Sequence, residues 1–209
     1  MHTFADPLRR ARQLAADKVG VIDGERQVTF GELAQRCAQL VGGLQALGME
    51  RGDRIAILAN NCHQYIETYT GVPAGGLVVV PLNTRHADPE LRYALEDAGA
   101  RVLITDRADV SAIAGTVEHV LGLDAYEALV TGGAPAALGE GIDENDLAGL
   151  FYTGGTTGKS KGVMLSHRNL IANTFHWLLS EPHEPEDCEL VIAPLFHAAG
   201  SNGVLGAIW

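Results

Sequence analysis

Short β-branched runs alternate with segments of helical periodicity along most of this chain. Residues 18–23 and 27–29 read as two strands joined around Asp23-Gly24. Thr29, with Glu32 at the third position beyond it, has the capping-box pattern that opens a helix. Leu33, Cys37, Leu40, Val41, Leu44 and Leu47 then recur at helical spacing, and Gly48 stops the run. The pattern next predicts a strand over 54–58, a helix over 64–70, and a continuous apolar strand over 77–80 ended by Pro81. Asp88, Pro89 and Glu90 stand in the order of a cap, a first-position proline and a first-turn acid. That helix is expected to run to Ala98, with Gly99 as its C-terminal cap and a strand over 101–105 behind it.

Strand and helix in alternation, with apolar runs suited to burial on both faces, imply an α/β fold with mostly parallel strands flanked by helices. Residues 131–142 are rich in Gly, Ala and Pro and read as a loop or linker. A strand over 147–152, a Gly/Thr loop, a strand over 162–165 and a helix over 167–179 follow. A polar acidic segment (181–189), a strand (190–193) and an apolar tail close the chain. The division expected from this is an α/β subdomain over 1–130, a linker over 131–146 and the start of a second α/β subdomain over 147–209. No internal repeat is evident. The chain stops at Trp209 inside an apolar segment, which leads us to expect a fragment of a longer protein.

Composition narrows the function classes. The 209 residues are 46% hydrophobic, enough for a packed core. Fifteen basic residues stand against 26 acidic ones, a net charge of −11, which argues against a general nucleic-acid or anionic-membrane surface. Cys37, Cys62 and Cys188 form no CxxC motif and no disulfide framework, as in a reducing compartment. Residues 1–12 hold three arginines with no apolar run behind them, unlike a signal peptide. No stretch has the ~18 unbroken apolar residues of a membrane span. The nearest, 190–209, is interrupted by Pro194, His197, Ser201 and Asn202. A cytoplasmic location is expected.

One segment concentrates chemistry. Residues 153–162 are Thr153, Gly154, Gly155, Thr156, Thr157, Gly158, Lys159, Ser160, Lys161 and Gly162. Glycines let backbone N–H groups turn toward one point and let an anion approach closely. The hydroxyls add donors and can ligate Mg²⁺. Two of the chain's three lysines lie here, and no carboxylate occurs between Asp146 and Glu181. At the chain's average density about four would be expected in that interval. Many short donors, positive potential and little bulk suit a polyphosphate. Two other readings stand beside this one. A flexible Gly/Thr surface loop explains the glycines but not the lysine clustering. A Walker-type loop would require glycine where Thr153 stands, and a helix rather than a strand pattern after the lysine.

The run from Tyr152 to Val163 closely resembles the AMP-binding signature of the adenylate-forming superfamily, which includes acyl-CoA synthetases, luciferases and peptide-synthetase adenylation domains. Further stretches match in order: residues 29–33, 52–56, 80–83, 165–170, and the Pro-Leu-Phe-His motif at 194–197 followed by Gly200. The resemblance covers nearly the whole chain, at under half the usual family length. It departs at Gly154, where the family often has Ser, and at Ser160, where Pro is usual; loss of that proline frees φ and should loosen the loop.

What the resemblance implies is the N-terminal part of the large domain of the adenylate-forming fold and a two-step reaction. A carboxylic acid attacks ATP to give acyl-AMP and pyrophosphate, and coenzyme A then takes the acyl group. It also implies that Thr153, Gly154, Gly155, Thr156, Thr157, Gly158, Lys159 and Lys161 cradle phosphates, with Thr156 near Mg²⁺. Loop capping for Thr156 and a solvated charge for Lys161 are the plainer alternatives. Tyr152 reads as strand packing, and His167 and Arg168 as capping or stabilising a helix start. His197 matches the family histidine near the acyl-adenylate, though a histidine beside apolar residues also fits a satisfied core position. Cys188, in an acidic stretch, is not read as a nucleophile. Family elements beyond residue 209 include the carboxylate that completes the Mg²⁺ site, the ribose-binding aspartate and a C-terminal lysine. Residues 1–209 alone are therefore expected to lack ligase turnover, and to self-associate through the tail at 190–209. An amino-acid adenylation domain serving a carrier protein, or a non-catalytic nucleotide-binding module, are the competing readings; the first is disfavoured because 190–209 lack an aspartate for an amine. Which acid is used is not legible.

Overall fold

Apolar residues alternate sides along the third strand, and this sorts the whole architecture. In the computed structural model, which describes residues 2–154, 160–181, 183–184 and 186–209 (Asn202 by its backbone), chain order begins α1 (Ala5–Ala15), β1 (Val19–Asp23), β2 (Arg26–Thr29), α2 (Phe30–Ala46) and β3 (Arg54–Leu58). It continues α3 (His63–Ala74), β4 (Val78–Pro81), α4 (Asp88–Ala98), β5 (Ala100–Thr105), α5 (Ser111–Ala114) and β6 (His119–Gly122). The last elements are α6 (Leu123–Gly132), β7 (Leu147–Thr153), β8 (Lys161–Ser166), α7 (His167–Ser180) and α8 (Ala198–Ile208). Ile55 and Ile57 of β3 join Val79, Val102 and Ile104 beneath α2, α3 and α6. Ala56 and Leu58 point the other way, with Val80 and Leu103, beneath α4 and α5. The period of two thus feeds two apolar layers, one on each side of a single sheet.

That sheet has six strands in the order β6-β5-β3-β4-β7-β8. All neighbours are parallel except β7 and β8, which are antiparallel. β1 and β2 form a separate antiparallel pair. Residues 133–146 pass close over α2. Ala136 N–H donates to the Ala38 carbonyl at 2.9 Å, and a Cβ at Gly42 would meet the Ala134 oxygen at 1.8 Å. β7 then extends the sheet begun by β3–β6.

The expected elements are present, with corrections. Thr29 caps α2 by accepting from Glu32 N–H at 3.1 Å, while the Glu32 carboxylate turns to Arg26 at 2.9 Å instead of closing the box. The N-terminal cap of α4 is Ala87, not Asp88, and Glu90 accepts from Ala87 N–H at 2.9 Å. Gly99 ends α4 in the left-handed region, φ +58°. Residues 190–193 form no strand. The carbonyls of Val191 and Ala193 accept from the Asn61 side chain, and Leu190 and Ile192 are about four-fifths exposed (81% and 80%). The apolar tail beyond them is α8, whose Val204, Leu205 and Ile208 are buried. α1 buries only a narrow stripe (Ala5, Pro7, Leu8, Ala11), and β6 half-buries alternate residues, patterns too thin to predict either element.

Candidate functional site

Because β3, β4, β5, β6 and β7 run in one direction, their C-terminal ends share one edge of the sheet. Ligands of open α/β sheets bind in crevices along that edge. Four segments meet the condition here: the Asn60-Asn61 loop after β3, the Asn83–Arg85 loop after β4, Asp106 after β5, and the turn after β7.

The turn after β7 is the Gly/Thr/Lys segment. β7 and β8 pair antiparallel, with Tyr152 opposite Gly162 and Thr153 opposite Lys161. Thr153, Gly154 and Lys161 are exposed, and a Cβ at Gly154 would meet nothing within 4 Å. Gly155, Thr156, Thr157, Gly158 and Lys159 lie outside the described residues. Tyr152 does more than pack. Its ring lies over Gly162, whose Cβ would come within 3.2 Å of the Tyr152 Cζ, and its hydroxyl donates to Asp97 of α4 at 2.7 Å. An interval free of carboxylates in the sequence therefore receives one from another element, already engaged by a hydroxyl.

Ser166, rather than His167 or Arg168, caps α7. Ser166 Oγ accepts from Asn169 N–H at 3.3 Å, and Asn169 Oδ1 accepts from Ser166 N–H at 3.0 Å. His167 is fully buried. Its Nδ1 accepts from Phe4 N–H at 3.2 Å, and its Nε2 has no hydrogen-bond partner among the described residues. Burial lowers its pKa to about 4, with Arg51 adding to the effect and Asp146 and Asp6 opposing it.

The Pro-Leu-Phe-His segment reaches the same edge from far along the chain. Asn61 Oδ1 accepts from Leu195 N–H at 2.8 Å, and Asn61 Nδ2 donates to the Ala193 carbonyl at 3.0 Å. A cleft of ≈ 240 Å³ opens there, lined by Asn60, Asn61, Thr84, Arg85, Pro194 and Phe196 among others. His197 is the N-terminal cap residue of α8 and is exposed, which removes the core-histidine reading. Its backbone N–H donates to the Pro194 carbonyl at 3.0 Å. Sequence reasoning missed Asn60, Asn61 and Arg85. Two asparagines directly after an apolar parallel strand were the available signal, one that ordinary turns share.

Burial pushes the thiols up, Cys37 to about 12 and Cys62 to about 11. Among the described residues no group of three or more His, Cys, Asp or Glu could hold a metal ion. No described helix is long and apolar enough to cross a membrane.

A mostly parallel sheet, helices on both faces, and a Gly/Thr/Lys hairpin at the strand ends define the N-terminal architecture of adenylate-forming enzymes. The chain belongs to the AMP-binding enzyme family, whose pattern it matches over residues 8–209. It is 40% identical over 194 residues to a feruloyl-CoA synthase from an Amycolatopsis species, covering 92% of this chain and 39% of that protein. It is 36% identical over 192 residues to a long-chain-fatty-acid–CoA ligase of Thermus thermophilus, covering 82% of this chain and 34% of the relative. Among solved structures, the inhibitor-bound N-terminal domain of FACL13 from Mycobacterium tuberculosis matches with a TM-score of 0.89 at 26% identity, over 100% of this chain and 55% of the other. The o-succinylbenzoate CoA synthetase of Bacillus subtilis, bound to its acyl-adenylate intermediate, matches with a TM-score of 0.86 at 26% identity, over 97% and 53%. The chain thus spans about two fifths of the length of these curated relatives.

Proposed function

We propose that this chain is the N-terminal part of an ATP-dependent acid–CoA ligase. One observation carries the reading. The β7–β8 hairpin tip and the Pro-Leu-Phe-His strap, separated in sequence, are both delivered to the C-terminal edge of the sheet. In this reading the segment 153–161 supplies the donors for phosphates, and Thr153 pairs opposite Lys161. The strap offers an exposed imidazole at His197 beside an apolar wall formed by Pro194 and Phe196.

A carboxylate is a poor acyl donor because oxide would have to leave; transfer to AMP supplies a better leaving group, and coenzyme A then accepts the acyl carbon. The residues' part is to hold two anions together and offset their charge. Thr153, Lys161 and the loop 154–159 take the β- and γ-phosphates in this reading. Thr156 would hold the Mg²⁺ that offsets the charge of the triphosphate. His197 would face the acyl-adenylate in this reading. The acid is a small-molecule carboxylic acid, and the relatives' feruloyl and long-chain acyl groups point to the first probes to try.

The test is acid-dependent exchange of pyrophosphate into ATP by the intact protein, followed by CoA thioester formation, with ferulate and a long-chain fatty acid as probes. Exchange that requires an acid, and thioester that requires CoA, are expected. ATP turnover indifferent to any carboxylic acid would overturn the reading.

A further inference from the structure

Asn61 stands three residues beyond β3, and its amide is committed to partners 130 or more positions away. Its Oδ1 accepts from Leu195 N–H at 2.8 Å, and its Nδ2 donates to the carbonyls of Ala193 at 3.0 Å and Val191 at 3.3 Å. One side chain thereby supplies the bonds that a neighbouring strand would give to residues 191–195. The anchor is itself fixed. Asn60, the preceding residue, donates to Asp106 after β5 from its backbone N–H at 2.9 Å and its amide at 2.8 Å. On the strap, Leu195 buries its side chain in the main core at 3% exposure, so its backbone has a pivot as well as a clamp. His197 follows two residues later and opens α8.

We propose that Asn61 is a positioning residue. It holds the strap across the ends of β3 and β4, which sets the direction from which His197 presents its ring and the wall that Pro194 and Phe196 give the cleft. The inference rests on the acid–CoA ligase reading. Without the amide, Leu195 remains buried but the backbone on either side can turn about it. A displacement of about 1 Å in a reacting geometry can cost on the order of a hundredfold in rate.

The experiment is a double-mutant cycle between Asn61→Ala and His197→Ala in the intact protein. It is read by acid-dependent ATP–pyrophosphate exchange together with hydrogen exchange at the Leu195 amide. Asn61→Ala is expected to lower kcat/KM for the acid by about tenfold to a hundredfold and to leave the KM for ATP within about twofold, because the phosphates are held by the hairpin. In the His197→Ala background the same substitution should cost less than about twofold, since the residue it positions is gone. The Leu195 amide should exchange at least about tenfold faster in Asn61→Ala. Equal losses in both backgrounds, or a parallel rise in the KM for ATP, would overturn the proposal. If the parent shows no acid-dependent exchange, the ligase reading fails instead. The Leu195 amide then still decides the clamp, and unchanged protection would refute it.

Discussion

His167 makes the stability of this protein fall with acid in a window of its own. The ring is fully buried between the N-terminal segment and α7, and its Nδ1 is the acceptor for Phe4 N–H. A protonated imidazole has no acceptor to offer, so protonation would bury a charge and break that bond together. Burial is the main cause of the fall in its pKa from 6.5 to about 4. The unfolded ring takes its proton near pH 6.5 and the folded one near pH 4, so the unfolded chain holds more protons between those values. Stability is therefore full above pH 6.5 and declines as pH drops toward 4. Integrating between pH 7.5 and 5.0 gives a loss of about 2 kcal/mol from this one group. Asp23, Asp53, Asp146 and Glu127 have lowered pKa values, and the stability they add disappears on acidification only below the ordinary carboxylate range. The measurement is urea unfolding at pH 7.5, 6.5, 5.5 and 5.0 for the protein and for His167→Leu. The variant loses the acceptor for Phe4 at every pH, so the baseline drops and the slope is the informative quantity. It should be flatter than the parent's by about 2 kcal/mol over the range. Parallel slopes would refute the assignment.

Arg36→Met should destabilise by about 3–5 kcal/mol in urea unfolding, because it leaves Glu67 as a buried carboxylate without its cation. Arg36 and Glu67 have side-chain exposures of 8% and 0% and meet at 2.6 Å, with Tyr126 as Glu67's remaining donor at 2.9 Å. The double variant Arg36→Met/Glu67→Gln should recover a large part of that loss, and equal losses would show that packing, not charge, dominates. Gly42→Ala would place a Cβ 1.8 Å from the Ala134 oxygen, and should cost about 1–3 kcal/mol with faster amide exchange at Ala136 as residues 133–137 lift from α2. Lys161→Ala should weaken ATP–Mg²⁺ binding by calorimetry at least about tenfold while leaving the unfolding midpoint unmoved, since the side chain is exposed. Equal affinity would remove Lys161 from the phosphate site.

Local chemistry carried far in this chain. β3 matches its expected bounds residue for residue, because the apolar run that follows Arg54 up to the Asn60 turn has no competing period. Thr29 and Gly99 bracket helices in the sequence as they do in the fold, since caps depend on neighbours three or four residues away. The Gly/Thr/Lys segment stood out for the same reason, since its candidate donors are consecutive. The strand expected at 190–193 shows where that logic stops. Its apolar residues suit a strand, but the bonds that a strand needs go to one asparagine more than a hundred residues earlier. His167 opens α7 as the sequence led one to expect, but its burial as the acceptor for Phe4 N–H was not legible there. By itself the sequence determined most of the sheet strands and longer helices and the parallel α/β class, all products of short-range periodicity and composition, and it supplied the expectation of an anion-binding loop. Only the tertiary structure decided that Asn61 meets Leu195, that Asp97 meets Tyr152 and that the strap shares an edge with the hairpin. Those meetings depend on strand order and crossover, which no local window of residues encodes.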